Sequence, residues 1–373
     1  MATHTRRRLA WLAGLLAVIA GLCAWLILGG SSPQVELVLD INTAGRFLCW
    51  DGEDALLYHS GDELLNLNLA SGQACIVGRW SEEEFNDARP VGDSHLLVVL
   101  GHPGREAKEV ARRSGQVMCT SKLPSDISGN TQAWARNTPV LWFVSEPQSQ
   151  TLNAWEWTAT GCTQLSLRLP PELNGVAYVN ATASGGAQLY CDGDDMVAVF
   201  GIERASGSEA RAITLKGMWH IELPVENCAT IDIRGDLCAP YSGRDKPLAV
   251  QSVPLTSYVG GMQKVQVGEL PGQSGAPIKW RNLTPRLDRF LLPKYWYILG
   301  FTPGGEYLAL GQTEAGSGFP AAIWVWHPKT GLSRIAAAKR GWLEGLWSPD
   351  GSKLAVMQAY SSRLRVFQMP KVD

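Results

Sequence analysis

The stretch Leu346–Val356, LWSPDGSKLAV, leads through Trp-Ser-Pro-Asp-Gly into a short apolar strand. The turn residues divide the work. Proline presets a negative φ, aspartate caps the turn with its side chain, and glycine takes the positive-φ position that a tight hairpin needs. A second copy, ILGFTPGGEYLAL, runs from Ile298 to Leu310, with Gly304 and Asp350 46 residues apart. Looser copies precede it: INTAGRFLCW from Ile41, ARPVGDSHLLVV from Ala88, ARNTPVLWFV from Ala135, ATASGGAQLYC from Ala181 and IDIRGDLCAP from Ile231. Seven turns, each followed by a short apolar strand, recur every 46–50 residues or so, except between the fifth and sixth.

A second turn type is interleaved at fixed phase, as ASG at Ala70, RSG at Arg113, ATG at Ala159, ASG at Ala205 and KTG at Lys329. Two turn types per period define a four-stranded antiparallel unit repeated along the chain. WDGED at Trp50 and CDGDD at Cys191 lie 141 residues apart, three periods of 47, and read as hairpin turns on one face. They offer Asp51, Asp54, Asp192, Asp194 and Asp195 as candidate binding residues. Trp155 with Trp157, and Trp324 with Trp326, share a strand face and read as packing of one sheet on its neighbour.

Four-stranded units at this period read as blades of a β-propeller. SPDGSKLAV resembles the repeat of TolB-like and WD-related propellers, in which the Pro-Asp-Gly turn joins the innermost strand to the second. The resemblance implies the fold of the region 34–373 and says almost nothing about activity. The expectation is an all-β chain of seven four-stranded blades preceded by one N-terminal transmembrane helix. The last unit shows only three strands, and VELVLDI after Gln34 either completes it or opens the first blade. Both remain open at this point.

Leu9–Leu28 holds twenty residues without a charge. A helix of that length rises about 30 Å, the thickness of a bilayer core. Arg6, Arg7 and Arg8 precede it, and positive charge stays cytoplasmic. The expected layout is a cytoplasmic tail at 1–8, a signal-anchor at 9–30 and the propeller outside the cytoplasm, in the periplasm or extracellular space. No small-residue cleavage site follows.

The irregular gap falls between Gly260 and Gly304, where the two turns stand 44 residues apart instead of 20–28. An inserted loop at about 270–294 is expected, on the face of the WDGED and CDGDD hairpins. It supplies the candidate binding residues Lys279, Trp280, Arg281, Arg286 and Arg289. Long irregular loops are often functional.

The chemistry is sparse. Eight cysteines include no C-x-x-C, and the six histidines are scattered, so no metal or cofactor is expected. Cys228 and Cys238 flank the turn Ile233–Asp236 and are the candidate disulfide. Ser274 in GQSGAP lacks the second glycine of a nucleophile elbow. A formal net charge of −2, without a basic block beyond the N-terminus, points away from nucleic acid. Two readings remain. One is a membrane-anchored binding or scaffolding module for a protein or ligand. The other is a propeller-based hydrolase with carboxylates at the channel mouth. Convergence of acidic and histidine side chains into one central pocket separates them.

Overall fold

The computed structural model describes residues 35–371 except 123–131, 135–140, 145–149, 203–212, 221–247, 255–262, 270–275, 284–293, 315–320 and stretches of one to four residues elsewhere. Among the described residues there is no helix, hence none long and apolar enough to cross a membrane. The expected anchor at 9–30 lies outside them.

β1 (Glu36–Asn42) comes first. The first sheet follows as β2 (Arg46–Trp50), β3 (Ala55–Ser60), β4 (Glu63–Asn68) and β5 (Ala74–Arg79). The second holds β6 (Phe85–Val91), β7 (His95–Leu100), β8 (Glu106–Ala111) and β9 (Val117–Lys122). The third holds β10 (Gln132–Trp134), β11 (Leu141–Val144), β12 (Thr151–Thr158) and β13 (Gly161–Arg168). The fourth holds β14 (Gly175–Ala181), β15 (Ala187–Asp192), β16 (Met196–Ile202) and β17 (Ile213–His220). The fifth shows three strands among the described residues, β18 (Leu248–Pro254), β19 (Gln263–Glu269) and β20 (Lys279–Asn282). The sixth holds β21 (Lys294–Phe301), β22 (Leu308–Glu314), β23 (Ala321–His327) and β24 (Gly331–Ala338). β25 (Leu343–Trp347), β26 (Lys353–Gln358) and β27 (Arg363–Gln368) begin the last.

Each sheet is an antiparallel meander in chain order. First strands touch first strands of neighbouring sheets: β2 meets β6 and β25, β10 meets β14, and β21 meets β25. They therefore line the centre, and the fourth strands face outward.

β1 completes the last sheet. It pairs antiparallel with β27, from Glu36 opposite Gln368 to Asn42 opposite Arg363. This decides between the two placements left open for VELVLDI. Left alone, β27 would offer an unpaired edge, and Leu39 and Ile41 would lose the core cluster they pack against. The Arg363 guanidinium donates to both Asp40 carboxylate oxygens, Nε to Oδ1 at 2.7 Å and Nη2 to Oδ2 at 2.5 Å.

Second strands are apolar without alternation, as in HLLVVL of β7 and KLAVMQ of β26, because both faces are covered. Leu96, Leu97, Val98, Leu354 and Val356 are all essentially inaccessible. Trp155 and Trp157 pack with Leu97 and Val99 of the neighbouring second sheet, as their shared strand face implies. Trp326 packs with Val265 and Val267 of the fifth.

The opening turn is built as its residues dictate. The Ser348 hydroxyl donates to Asp350 Oδ1 (2.5 Å) and accepts from the Lys353 amide (2.8 Å), Asp350 Oδ1 accepts from the Ser352 amide (3.0 Å), and Gly351 sits at φ 74°. Thr302 plays the part of Ser348 one sheet earlier, its hydroxyl accepting from the Glu306 and Tyr307 amides. In the first sheet the equivalent turn is Asp51–Asp54, between β2 and β3, with Gly52 at φ 73°. INTAG, the expected copy there, instead links β1 to β2 between two sheets. Small residues are needed at both kinds of connection, which is why the pattern slipped by one strand.

Candidate functional site

Strand direction divides the turns between two faces. Turns after first and third strands lie on one face, here the lower. Turns after second strands and connections between sheets lie on the upper. WDGED is a lower turn, whereas CDGDD joins β15 to β16 and is an upper one. The expected common face is therefore incorrect: the three-period match pairs a first turn with a second turn, which point opposite ways.

On the lower face Asp51 caps its own hairpin, its amide donating to Ala55 O at 2.8 Å. Its Oδ2 accepts from Asn66 Nδ2 and from Arg112 Nη2, which reaches across from the second sheet. Asp51 is nearly buried in this contact, and burial lowers the pKa of Arg112. Asp54 accepts from Lys353 Nζ at 2.9 Å, and the same ammonium donates to Glu53 O at 3.1 Å. Both candidate carboxylates thus join sheets: Asp51 the first to the second, Asp54 the first to the last.

The tryptophan that precedes each of these turns has a role the sequence reading missed. Trp50 Nε1 donates to Leu346 O at 2.9 Å, and Trp347 Nε1 donates to Gly300 O at 2.8 Å. Each indole latches its innermost strand to the innermost strand of the preceding sheet. The shared W before a D-G turn was the available signal.

The joint between the first and second sheets adds polar contacts to an apolar core in which Leu48, Leu57 and Leu64 meet Ala88, Leu96 and Val98. Arg89 donates to Leu48 O and pairs with Asp87 at 3.1 Å. The Cys49 thiol donates to Ala88 O at 3.6 Å. Burial opposes the charge of Arg89, but the neighbouring Asp87 and Cys49 hold its pKa up; burial also pushes the Cys49 thiol up. His59 stacks on Phe85 with ring centroids 4.1 Å apart, and its Nε2 lies 3.1 Å from Trp80 O.

The expected loop at about 270–294 is interrupted by a strand. Lys279, Trp280 and Arg281 belong to β20, paired with β19 from Glu269 opposite Lys279 to Gln266 opposite Asn282. The two-residue period splits the trio. Lys279 and Arg281 are exposed on one side, and Trp280 turns inward with a buried Nε1 that finds no hydrogen-bond partner among the described residues. The segment therefore supplies an edge strand of the fifth sheet among the described residues. Asp192 ends β15 at the upper face. Asp194, Asp195, Arg286, Arg289, Cys228 and Cys238 lie outside the described residues. Among the described residues, no disulfide joins Cys49, Cys75, Cys119, Cys162 and Cys191 to one another. Among the described residues no three metal-ligating side chains converge.

No family model matches the chain, and no curated protein matches it. Solved structures do. The beta-propeller domain of Cps50 (Swd1) from Myceliophteria thermophila is 12% identical, with a TM-score of 0.53, covering 90% of this chain and all of that one. A chain of the Mitotic Checkpoint Complex is 14% identical over 91% of this chain and 93% of that one, with a TM-score of 0.48. At such identities the first likeness bears on fold alone: the fold is a β-propeller that resembles WD-related ones.

Proposed function

We propose that this chain is a membrane-tethered, extracytoplasmic propeller of seven blades that acts as a protein-binding or scaffolding module. One observation carries the binding reading over the hydrolase reading. Of the described acidic side chains in the lower turns, Asp51 is engaged by Arg112 of the second sheet, Asp54 by Lys353 of the last, and Asp350 by Ser348 within its own turn. Among the described residues these three carboxylates are engaged singly and at separate turns, which favours binding over catalysis. The seven described sheets support the blade number. The uncharged segment from Leu9 to Leu28 behind three arginines supports the anchor and its orientation.

The test uses the full chain in membranes. It should stay in the pellet through carbonate extraction, and a protease added from the cytoplasmic side should leave the propeller intact. After gentle detergent extraction, chemical cross-linking should recover a stoichiometric protein partner. Release by carbonate ends the anchor. Hydrolytic turnover that survives purification and is lost on substituting a channel-mouth carboxylate, with no partner recovered, ends the scaffold reading.

A further inference from the structure

Few large apolar side chains stay exposed among the described residues, and their placement is not random. Leu37 and Val38 stand on β1, Ile76 on β5, and Val117 and Met118 on β9. These are the outermost strands of the last, first and second sheets. The three sheets are consecutive around the ring, since β2 touches both β25 and β6. Met118 is 56% exposed and Ile76 50%.

Every fourth strand runs from the lower face to the upper. In β1, β5 and β9 the exposed apolar residues fall in the first half of the strand, toward the lower face. The two remaining ones obey the same rule. Leu215 is in the first half of β17, and Leu346 is next to last in β25, a first strand that runs downward. An apolar arc therefore follows the lower rim, densest over three adjacent sheets, with the first sheet at its middle and β1 at one end.

The chain leaves the described structure at the same place. Val35 precedes β1 at its lower end, and seven residue steps separate it from Leu28, the end of the uncharged segment. Seven steps reach at most about 25 Å. A strand of six or seven residues is itself about 20 Å tall. With the lower face toward the bilayer the tether is slack. With the upper face toward it, the tether would have to run fully extended alongside the blade.

We propose that the lower rim of the last, first and second sheets rests on the bilayer surface, its apolar arc seated among the lipid headgroups, so that the upper face points away from the membrane. The proposal rests on the anchor assigned above. The charges at this face are mixed, with Glu36, Glu53 and Asp54 beside Lys353 and Lys371. The contact is therefore apolar and does not depend on anionic lipid. The upper face, with its second-strand turns and inter-sheet connections, is left open for the partner.

The experiment places a photo-cross-linking residue in the full chain, reconstituted in phosphatidylcholine vesicles. Met118→p-benzoylphenylalanine and Ile76→p-benzoylphenylalanine report the lower rim. Asp62→p-benzoylphenylalanine reports the upper turn between β3 and β4. Co-flotation with the vesicles is measured first on each variant; a chain that fails to float defeats the anchor, and this proposal with it. Among floating chains, the two rim positions should give lipid adducts at least fivefold above Asp62, unchanged by salt. Equal yields, a reversed order, or rim adducts to a second copy of the chain in place of lipid would overturn the docking while leaving the anchor standing.

Discussion

The joints on either side of the first sheet are made differently. Toward the last sheet, the joint is an apolar core latched by an indole, with one exposed ion pair, Asp54 to Lys353, at the lower face. Phe47, Leu56 and Tyr58 pack on Ala355, Met357, Leu364 and Val366, and the Trp50 indole donates to Leu346 O. Toward the second sheet, an apolar core of Leu48, Leu57 and Leu64 against Leu96 and Val98 is supplemented by a partly buried arginine paired with a buried aspartate, a thiol and a stacked histidine. The first kind repeats, since Trp347 does the same to Gly300. The second kind varies in its parts, since between the last and sixth sheets it is Arg365 that donates across, to Ala337 O at 3.0 Å. A repeat can be copied from blade to blade, because its partners are backbone carbonyls at equivalent places. A charge network needs specific partners on both sides, so it marks one particular neighbour.

The largest effect should come from the closing strand. A chain lacking residues through Thr43 loses β1, exposing the edge of β27 and the apolar residues it covers. It should aggregate or melt without cooperativity, whereas a chain beginning at Ser32 should be monomeric and strand-rich. Size-exclusion chromatography and circular dichroism on the two chains check this. A cooperative, monomeric short chain would show that the last sheet holds with three strands.

Next is the polar joint. Arg89→Ala leaves Asp87 buried beside a carbonyl that has lost its donor, and removing one partner of a buried pair costs about 3–5 kcal/mol. Trp347→Phe keeps the packing and forfeits the indole donor, about 1–2 kcal/mol. Denaturant melts of the two variants compare the joints directly. If Trp347→Phe costs as much as Arg89→Ala, the latch and not the network is the stronger tie. Ser348→Ala should cost about 1 kcal/mol, because the Lys353 amide and Asp350 then lose one partner each.

These residues also show how far the sequence could be read. The Ser348–Ser352 turn was legible because its chemistry is local: a hydroxyl, a carboxylate and a positive-φ glycine within five positions. The repeat and the all-β class followed from it. The polar joint was not legible. Arg89 and Leu48 are 41 residues apart, and neither shows in its neighbours what it will meet. The site residues divide in the same way. Asp51 and Asp54 were found as turn residues, but Arg112 and Lys353, which engage them, lie 61 and 299 residues away. Lys279, Trp280 and Arg281 read as a loop because flanking proline and glycine masked a strand of only four residues.

The smallest predicted effect lies at the closing strand itself and concerns pH. The hydrogen bonds from Arg363 hold the Asp40 carboxyl below its ordinary value of about 3.9, against a smaller opposing effect of burial. A carboxyl with a depressed native pKa binds fewer protons folded than unfolded between the two values. Its contribution is therefore complete above about pH 4 and is lost as pH falls through the native value. The pair is exposed and screened by solvent, so at neutral pH Asp40→Asn should lower the melting temperature by only about a degree. The acid limb is more diagnostic. Stability measured by denaturant melts from pH 6 to pH 2.5 should fall less steeply below pH 4 in Asp40→Asn than in the parent. Arg363→Gln should do the same, because it returns Asp40 toward its ordinary pKa. Asp350→Asn tests a second depressed carboxyl, which burial pushes up but which the hydrogen bonds from Ser348 and Ser352, with the charge of Lys353, together bring down. If Asp40→Asn leaves the acid limb unchanged while Asp350→Asn flattens it, the acid sensitivity of the last sheet belongs to its local turn and not to the closing strand.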